Sequence, residues 1–224
     1  MTANLATFVD RYTMRHVRVF PHPIERVWRA ITDDTEFSQW FGFDVTFDMR
    51  VGGKCVWGTK QHYFDTEISR FEPITLVEHI APGDMSPDRG YMRFELQPTG
   101  DGCRFDFTQR FEPGLPQQYE EDRLGAELPG GPDTPWRPGF VGGFHTAWDN
   151  LSNYLNGLPI DAGREPRDEL FGRLVDEWLW RKRLEGEFTP DQCERYAKEL
   201  RGVAAWNDLN EIYKEHIRDT IPAD

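Results

Sequence analysis

The sequence predicts an α+β fold in which an antiparallel meander is closed by one long helix, followed by a helical C-terminal extension. Three observations predict it. One strand and two short amphipathic helices open the chain; alternating runs separated by turn residues fill Phe43 to Phe111; and an amphipathic stretch from Phe140 to Asn156 ends at a glycine.

In "RHVRVF", Arg15 to Phe20, Val17 and Val19 share one side, as in a half-buried strand. Pro23 then suits the first position of a helix, because its missing N–H would be unpaired there anyway. Ile24, Val27, Trp28 and Ile31 follow at i, i+3, i+4 and i+7, one apolar stripe. A second short helix is expected with Thr35 as cap and Phe37, Trp40 and Phe41 on its stripe.

The meander is read in six runs: "FDVTF" from Phe43, "KCVWG" from Lys54, "YFDTEISRF" from Tyr63, "ITLVEHI" from Ile74, "YMRFELQ" from Tyr91 and "CRFDFTQRF" from Cys103. "VGGK", "EPIT" and "QPTGDG" supply the Gly, Pro and Asp that short reversals need. In the last run Cys103, Phe105, Phe107, Gln109 and Phe111 share a face, and Arg104, Asp106, Thr108 and Arg110 form the wet one. Residues 112–138 are rich in Pro and Gly and read as a long loop, a lid or mobile insertion.

In the closing helix Phe144, Trp148, Leu151 and Leu155 form the apolar stripe, and Gly157 is placed for the C-terminal cap. Residues 1–157 are therefore expected to form one domain, its core starting at about residue 15, and residues 158–224 a helical extension. There Leu170, Phe171, Leu174, Val175, Trp178 and Leu179 form one stripe, "TPDQ" from Thr189 starts a helix, and Trp206, Leu209, Ile212, Tyr213 and Ile217 mark a last one. Such stripes bury against the main domain, each other or a partner, so this extension is also a candidate homodimer or protein contact.

A formal net charge of −13 over 224 residues repels phosphate backbones and anionic headgroups, so neither nucleic acid nor a membrane surface is an expected partner. The one basic run, Arg181-Lys182-Arg183, is followed directly by "LEGE" and reads as a solvated helix face. The N-terminal stretch lacks the basic start and apolar run of a signal peptide, and no segment approaches about 18 apolar residues. Cys55, Cys103 and Cys193 form no CxxC pair and leave an odd thiol under any pairing. A soluble cytoplasmic protein with reduced, buried thiols is expected. The scattered histidines show no HxH, HExxH or cysteine cluster, so no metal and no cofactor is expected.

Four separated segments carry a resemblance. "FPHPIERVWRAITDDTEFSQWFG", "VGGK", "FEPITLVEHI" and "GGFHTAWDNLSNYLNG" resemble, in order, the opening segment, the glycine pair, the E-P-x-x-L and the closing helix of the START-like, or SRPBCC, superfamily related to birch-pollen allergen. More narrowly they resemble its bacterial branch similar to the activator of heat-shock-protein-90 ATPase, often labelled polyketide-cyclase-like. The resemblance runs from about Arg15 to Gly157. It implies a helix-grip fold, a curved antiparallel sheet wrapped around the closing helix with a chamber between them. Phe144 and Trp148 stand where the family more often has Trp and Leu, and the 112–138 loop is longer than that branch leads one to expect; both would reshape the chamber.

The candidate chamber-lining residues are Trp57, Glu78, Phe105, Phe107, Gln109, Phe144, His145 and Trp148, with Glu78, His79 and His145 as candidate acid–base groups. Only one of Glu78 and His79 can point inward; Leu76 and Ile80 share Glu78's side, which favours Glu78. The first functional expectation is binding of a hydrophobic or aromatic small molecule. Two alternatives stand beside it: a cyclase or dehydratase moving a proton through a chamber Glu or His, and a co-chaperone-like interaction module acting through the C-terminal helices.

Overall fold

A computed structural model describes residues 4–58, 64–83, 90–113, 135–136, 138–158, 160, 183, 186, 189–191 and 204–222, with side chains from residue 211 in the last stretch. The order is β1 (Thr7–Asp10), β2 (Thr13–Phe20), α1 (Ile24–Thr32), α2 (Asp34–Phe41), β3 (Val45–Phe47), β4 (Lys54–Trp57), β5 (Phe64–Glu72), β6 (Leu76–Ile80), β7 (Tyr91–Thr99), β8 (Gly102–Arg110), α3 (Pro138–Leu155) and α4 (Ala204–Thr220). The strands form one eight-stranded antiparallel sheet in the order β1-β2-β8-β7-β6-β5-β4-β3. The pairing of β2 with β8 joins the first half of the chain to the end of the meander and curls the sheet around α3. The fold is the α+β helix-grip fold.

The stripe of α1 is as expected, with Val27 and Ile31 buried. Pro23 stands one position earlier than expected, just before the helix, its carbonyl accepting from Arg26 and Val27 at 3.0 and 3.2 Å. The cap of α2 is Asp33 rather than Thr35: its carboxylate accepts the Glu36 N–H at 3.0 Å, while Thr35 lies inside the helix. Gly53 is required by close approach, because a Cβ there would lie 1.9 Å from the Asp48 carbonyl oxygen. Beyond α3, Gly157 has φ +66 and its N–H donates to the Tyr154 carbonyl, while Leu158 N–H donates to that of Asn153 at 2.8 Å. These are the two bonds of a Schellman cap.

Two strands depart from the sequence reading. The sheet begins before residue 15, with β1 as an edge strand whose Phe8 is buried. In β2 the buried face is Met14, His16, Arg18 and Phe20, and Val19 is 64% exposed. Period-2 alternation identifies the strand but not which face is inside. Here a histidine and an arginine fill the inner positions because α3 and α4 lie over them with polar side chains of their own. The outer face of β8 is also less wet than expected: Asp106 is buried beneath a bidentate contact from Arg15 and a 3.1 Å contact from Arg104.

The core between sheet and α3 is aromatic. Trp148 is fully buried against Phe105, Phe107 and Trp40, with ring centroids at 4.9, 4.7 and 5.9 Å. The α4 helix lies against α3 and β1. Its Tyr213 and Ile217 are buried; the Tyr213 hydroxyl accepts the Ala6 N–H at 3.1 Å, and His216 donates to the Ala6 carbonyl at 2.7 Å. Trp136, inside the expected long loop, is fully buried and donates to the Arg11 carbonyl at 2.9 Å. Most of that loop, the stripe from Leu170 to Leu179, and Cys193 lie outside the described residues. Cys55 and Cys103 are buried free thiols, and burial pushes both pKa values up to about 11. Among the described residues no helix is long and apolar enough to cross a membrane, and no group of three or more His, Cys, Asp or Glu could hold a metal ion.

Candidate functional site

Between the sheet and α3 lies a chamber of about 740 Å³, within the usual range for small-molecule sites. Its helix wall follows from residue spacing. Gly139, Gly143, Ala147 and Asn150 line it, each about one turn from the last, with Phe140, Phe144 and Thr146 beside them. Trp148, Leu151 and Leu155 close the core, and Phe144 both stacks on Trp148 and lines the chamber. The facing walls are aromatic: Phe41 ends α2 and Phe43 follows it, Trp57 ends β4, and Tyr91 and Phe94 come from β7.

The polar centre of the chamber is on β5 and β6. His79 is 2% exposed and lines the chamber, with its Nδ1 3.1 Å from Thr66 Oγ1. The same hydroxyl accepts the indole N–H of Trp57 at 2.9 Å. Burial lowers the His79 pKa from its ordinary value to about 3, so the ring is neutral at physiological pH. Gln109 and Asn150 add amide groups to the lining.

The predicted residues separate into two sets. Trp57, His79, Gln109 and Phe144 line the chamber. Phe105, Phe107 and Trp148 belong to the packed core behind it. Glu78 is on the opposite side of β6 from His79, contrary to expectation. Its cross-strand neighbours there are Arg70 and Arg93, and it accepts from Arg93 at 2.6 Å and from Ser69 at 2.7 Å. The expectation failed because Leu76 and Ile80 are buried together with Val77 and His79, so burial on this central strand does not distinguish the faces.

His145 points away from the chamber, towards α4. Its Nδ1 is 2.8 Å from the Tyr213 hydroxyl and its Nε2 is 3.5 Å from Asp149. His16 and Arg18 of β2 complete this second cluster, the His16 ring centroid 6.1 Å from that of His145 and Arg18 3.6 Å from Asp149. Burial lowers the pKa of His16, with Arg18 and His145 adding to it; burial also lowers that of His145, against the pull of Asp149. The chamber residues missed in the sequence include the aromatic Phe41, Phe43, Tyr91 and Phe94, as well as Thr66 and the small stripe of α3. The signals for Thr66 and the small stripe were a threonine two residues from Ile68, the cross-strand partner of His79, and glycines four residues apart in a helix.

The sequence model of the family described as "Activator of Hsp90 ATPase homolog 1-like protein" matches residues 21–156. The chain belongs to this family. Membership in the activator-like family, and so in the START-like superfamily, agrees with the strand order and the helix grip. Among curated proteins none matches the chain. Of similar solved structures, EF2215 from Enterococcus faecalis is 10% identical over 99% of this chain and 94% of its own, with a TM-score of 0.55. CalU16 from Micromonospora echinospora is 18% identical over 88% of each chain at a TM-score of 0.45. NE0264 from Nitrosomonas europaea is 18% identical over 66% of this chain and 96% of its own at 0.49. At these identities the likeness concerns the fold alone. Activator-like family and fold together support a ligand-binding domain of the SRPBCC type.

Proposed function

We propose that the protein binds a hydrophobic or aromatic small molecule in the chamber between the sheet and α3. The chamber itself carries this reading: about 740 Å³ walled by Phe41, Phe43, Trp57, Tyr91 and Phe94, with His79 and Thr66 as a fixed polar anchor. Apolar area gives such a ligand its affinity and the few polar groups give it orientation.

The cyclase or dehydratase alternative has less support. Glu78 is engaged by Arg93 on the far side of the sheet, and His145 by Tyr213 and Asp149 outside the chamber. Proton transfer would rest on His79, whose pKa of about 3 makes it a weak base at neutral pH. The interaction alternative also has less support among the described side chains, since Tyr213 and Ile217 of α4 are used internally.

The test is to incubate the purified protein with an organic extract of its host cells, repurify it and weigh it under native and denaturing conditions. One organic compound per chain, present natively and released on denaturation, is expected. The bare polypeptide mass under both conditions would contradict the reading.

A further inference from the structure

Resting on the binding reading above, we propose that the chamber selects an uncharged aromatic molecule bearing a hydrogen-bond acceptor, such as a ketone, which takes the Nε2–H of His79. Thr66 is taken as the donor to His79. Thr66 Oγ1 accepts the Trp57 indole N–H at 2.9 Å and lies 3.1 Å from His79 Nδ1, to which, on this proposal, it gives its own hydrogen. The proton of the neutral imidazole is then on Nε2, which makes no hydrogen bond among the described residues and is the polar atom this ring offers to the chamber. Cys55, the other neighbour of Thr66, remains a neutral thiol and competes weakly for that hydrogen. The ring is held by Trp57, Phe94 and Phe47, with centroids at 5.4, 5.8 and 5.9 Å.

A neutral donor satisfies a carbonyl oxygen but cannot neutralise a carboxylate. The arginine in the lining, Arg110, directs its guanidinium to Thr13 at 3.3 Å and Asp10 at 3.6 Å. The chain carries a formal charge of −13, so an anionic ligand meets repulsion as well as desolvation. A pure hydrocarbon would bury the N–H with no partner.

Equilibrium dialysis with 2-acetylnaphthalene, 2-ethylnaphthalene and 2-naphthoate compares an acceptor, its apolar counterpart and an anion of similar size. The ketone is expected to bind about fivefold to tenfold more tightly than the hydrocarbon, the worth of one hydrogen bond, and naphthoate at least about tenfold more weakly than the ketone. His79→Leu should abolish the preference for the ketone without weakening the hydrocarbon; where it does not fold, Thr66→Val, which frees the ring's tautomer, should reduce the same preference. The preference should be level between pH 5 and pH 8. Equal binding of ketone and hydrocarbon, tightest binding of naphthoate, or a ketone preference that survives these substitutions overturns the proposal and leaves the binding reading standing. Absence of binding by all three overturns both.

Discussion

His79 and Trp148 show how much one position decides. Both are almost fully buried in the same half of the molecule, yet one meets the chamber and the other closes the core. Trp148 packs on Phe105 and Phe107 and stacks with Phe144, at 16° between planes. Trp148→Ala should therefore lower unfolding free energy by about 3 to 5 kcal/mol, read by denaturant titration. A loss under about 1 kcal/mol would mean that the helix does not pack as described. The inward side of β6 was not legible from alternation, because every residue of that strand is buried. The signal was in the neighbours: an arginine directly opposite Glu78 on each flanking strand.

At the scale of the element, α3 was legible in its length, its apolar stripe and its terminal glycine, because the 3.6-residue period records a helix against a core. Its chamber face was overlooked because small residues carry no periodic signal of hydrophobicity. The α4 helix was legible as an amphipathic helix with Tyr213 and Ile217 inward, but its docking place depends on pairings more than 200 residues apart, Tyr213 to Ala6 and His216 to Ala6. The Tyr213 hydroxyl ties α4 to α3 and to the residue before β1 by accepting from Ala6 and meeting His145. Tyr213→Phe leaves both without that partner while keeping the ring. It should cost about 1 to 3 kcal/mol and raise amide exchange along β1 and α4, measured by hydrogen–deuterium exchange. Unchanged exchange in both elements would show that the hydroxyl does not hold them.

For the whole molecule, the order of elements and the four family-like segments were enough to place the fold. The interior polar groups were not foreseeable, since they follow from which strand faces are turned inward. They have one collective consequence. His16, His79 and His145 are all held below the ordinary histidine pKa by burial. At a pH below about 6.5 the unfolded chain therefore binds protons that the folded one refuses, and stability rises with pH through this range. The stability is fully present above about pH 6.5 and is lost as pH falls from there. Melting temperature should drop steadily between pH 7 and pH 5, and His79→Leu should make that slope shallower. A flat profile in the wild-type protein would contradict the neutral, buried state of these rings.

The central claim is that the space beside α3 is the binding site. Its most direct test is titration calorimetry with 2-acetylnaphthalene on the wild-type protein and on Ala147→Phe, which places a ring in the chamber from its small-residue wall. One-to-one binding by the wild type and its loss in a variant that still folds are expected. Equal binding by the two proteins, or none by the wild type, would contradict it.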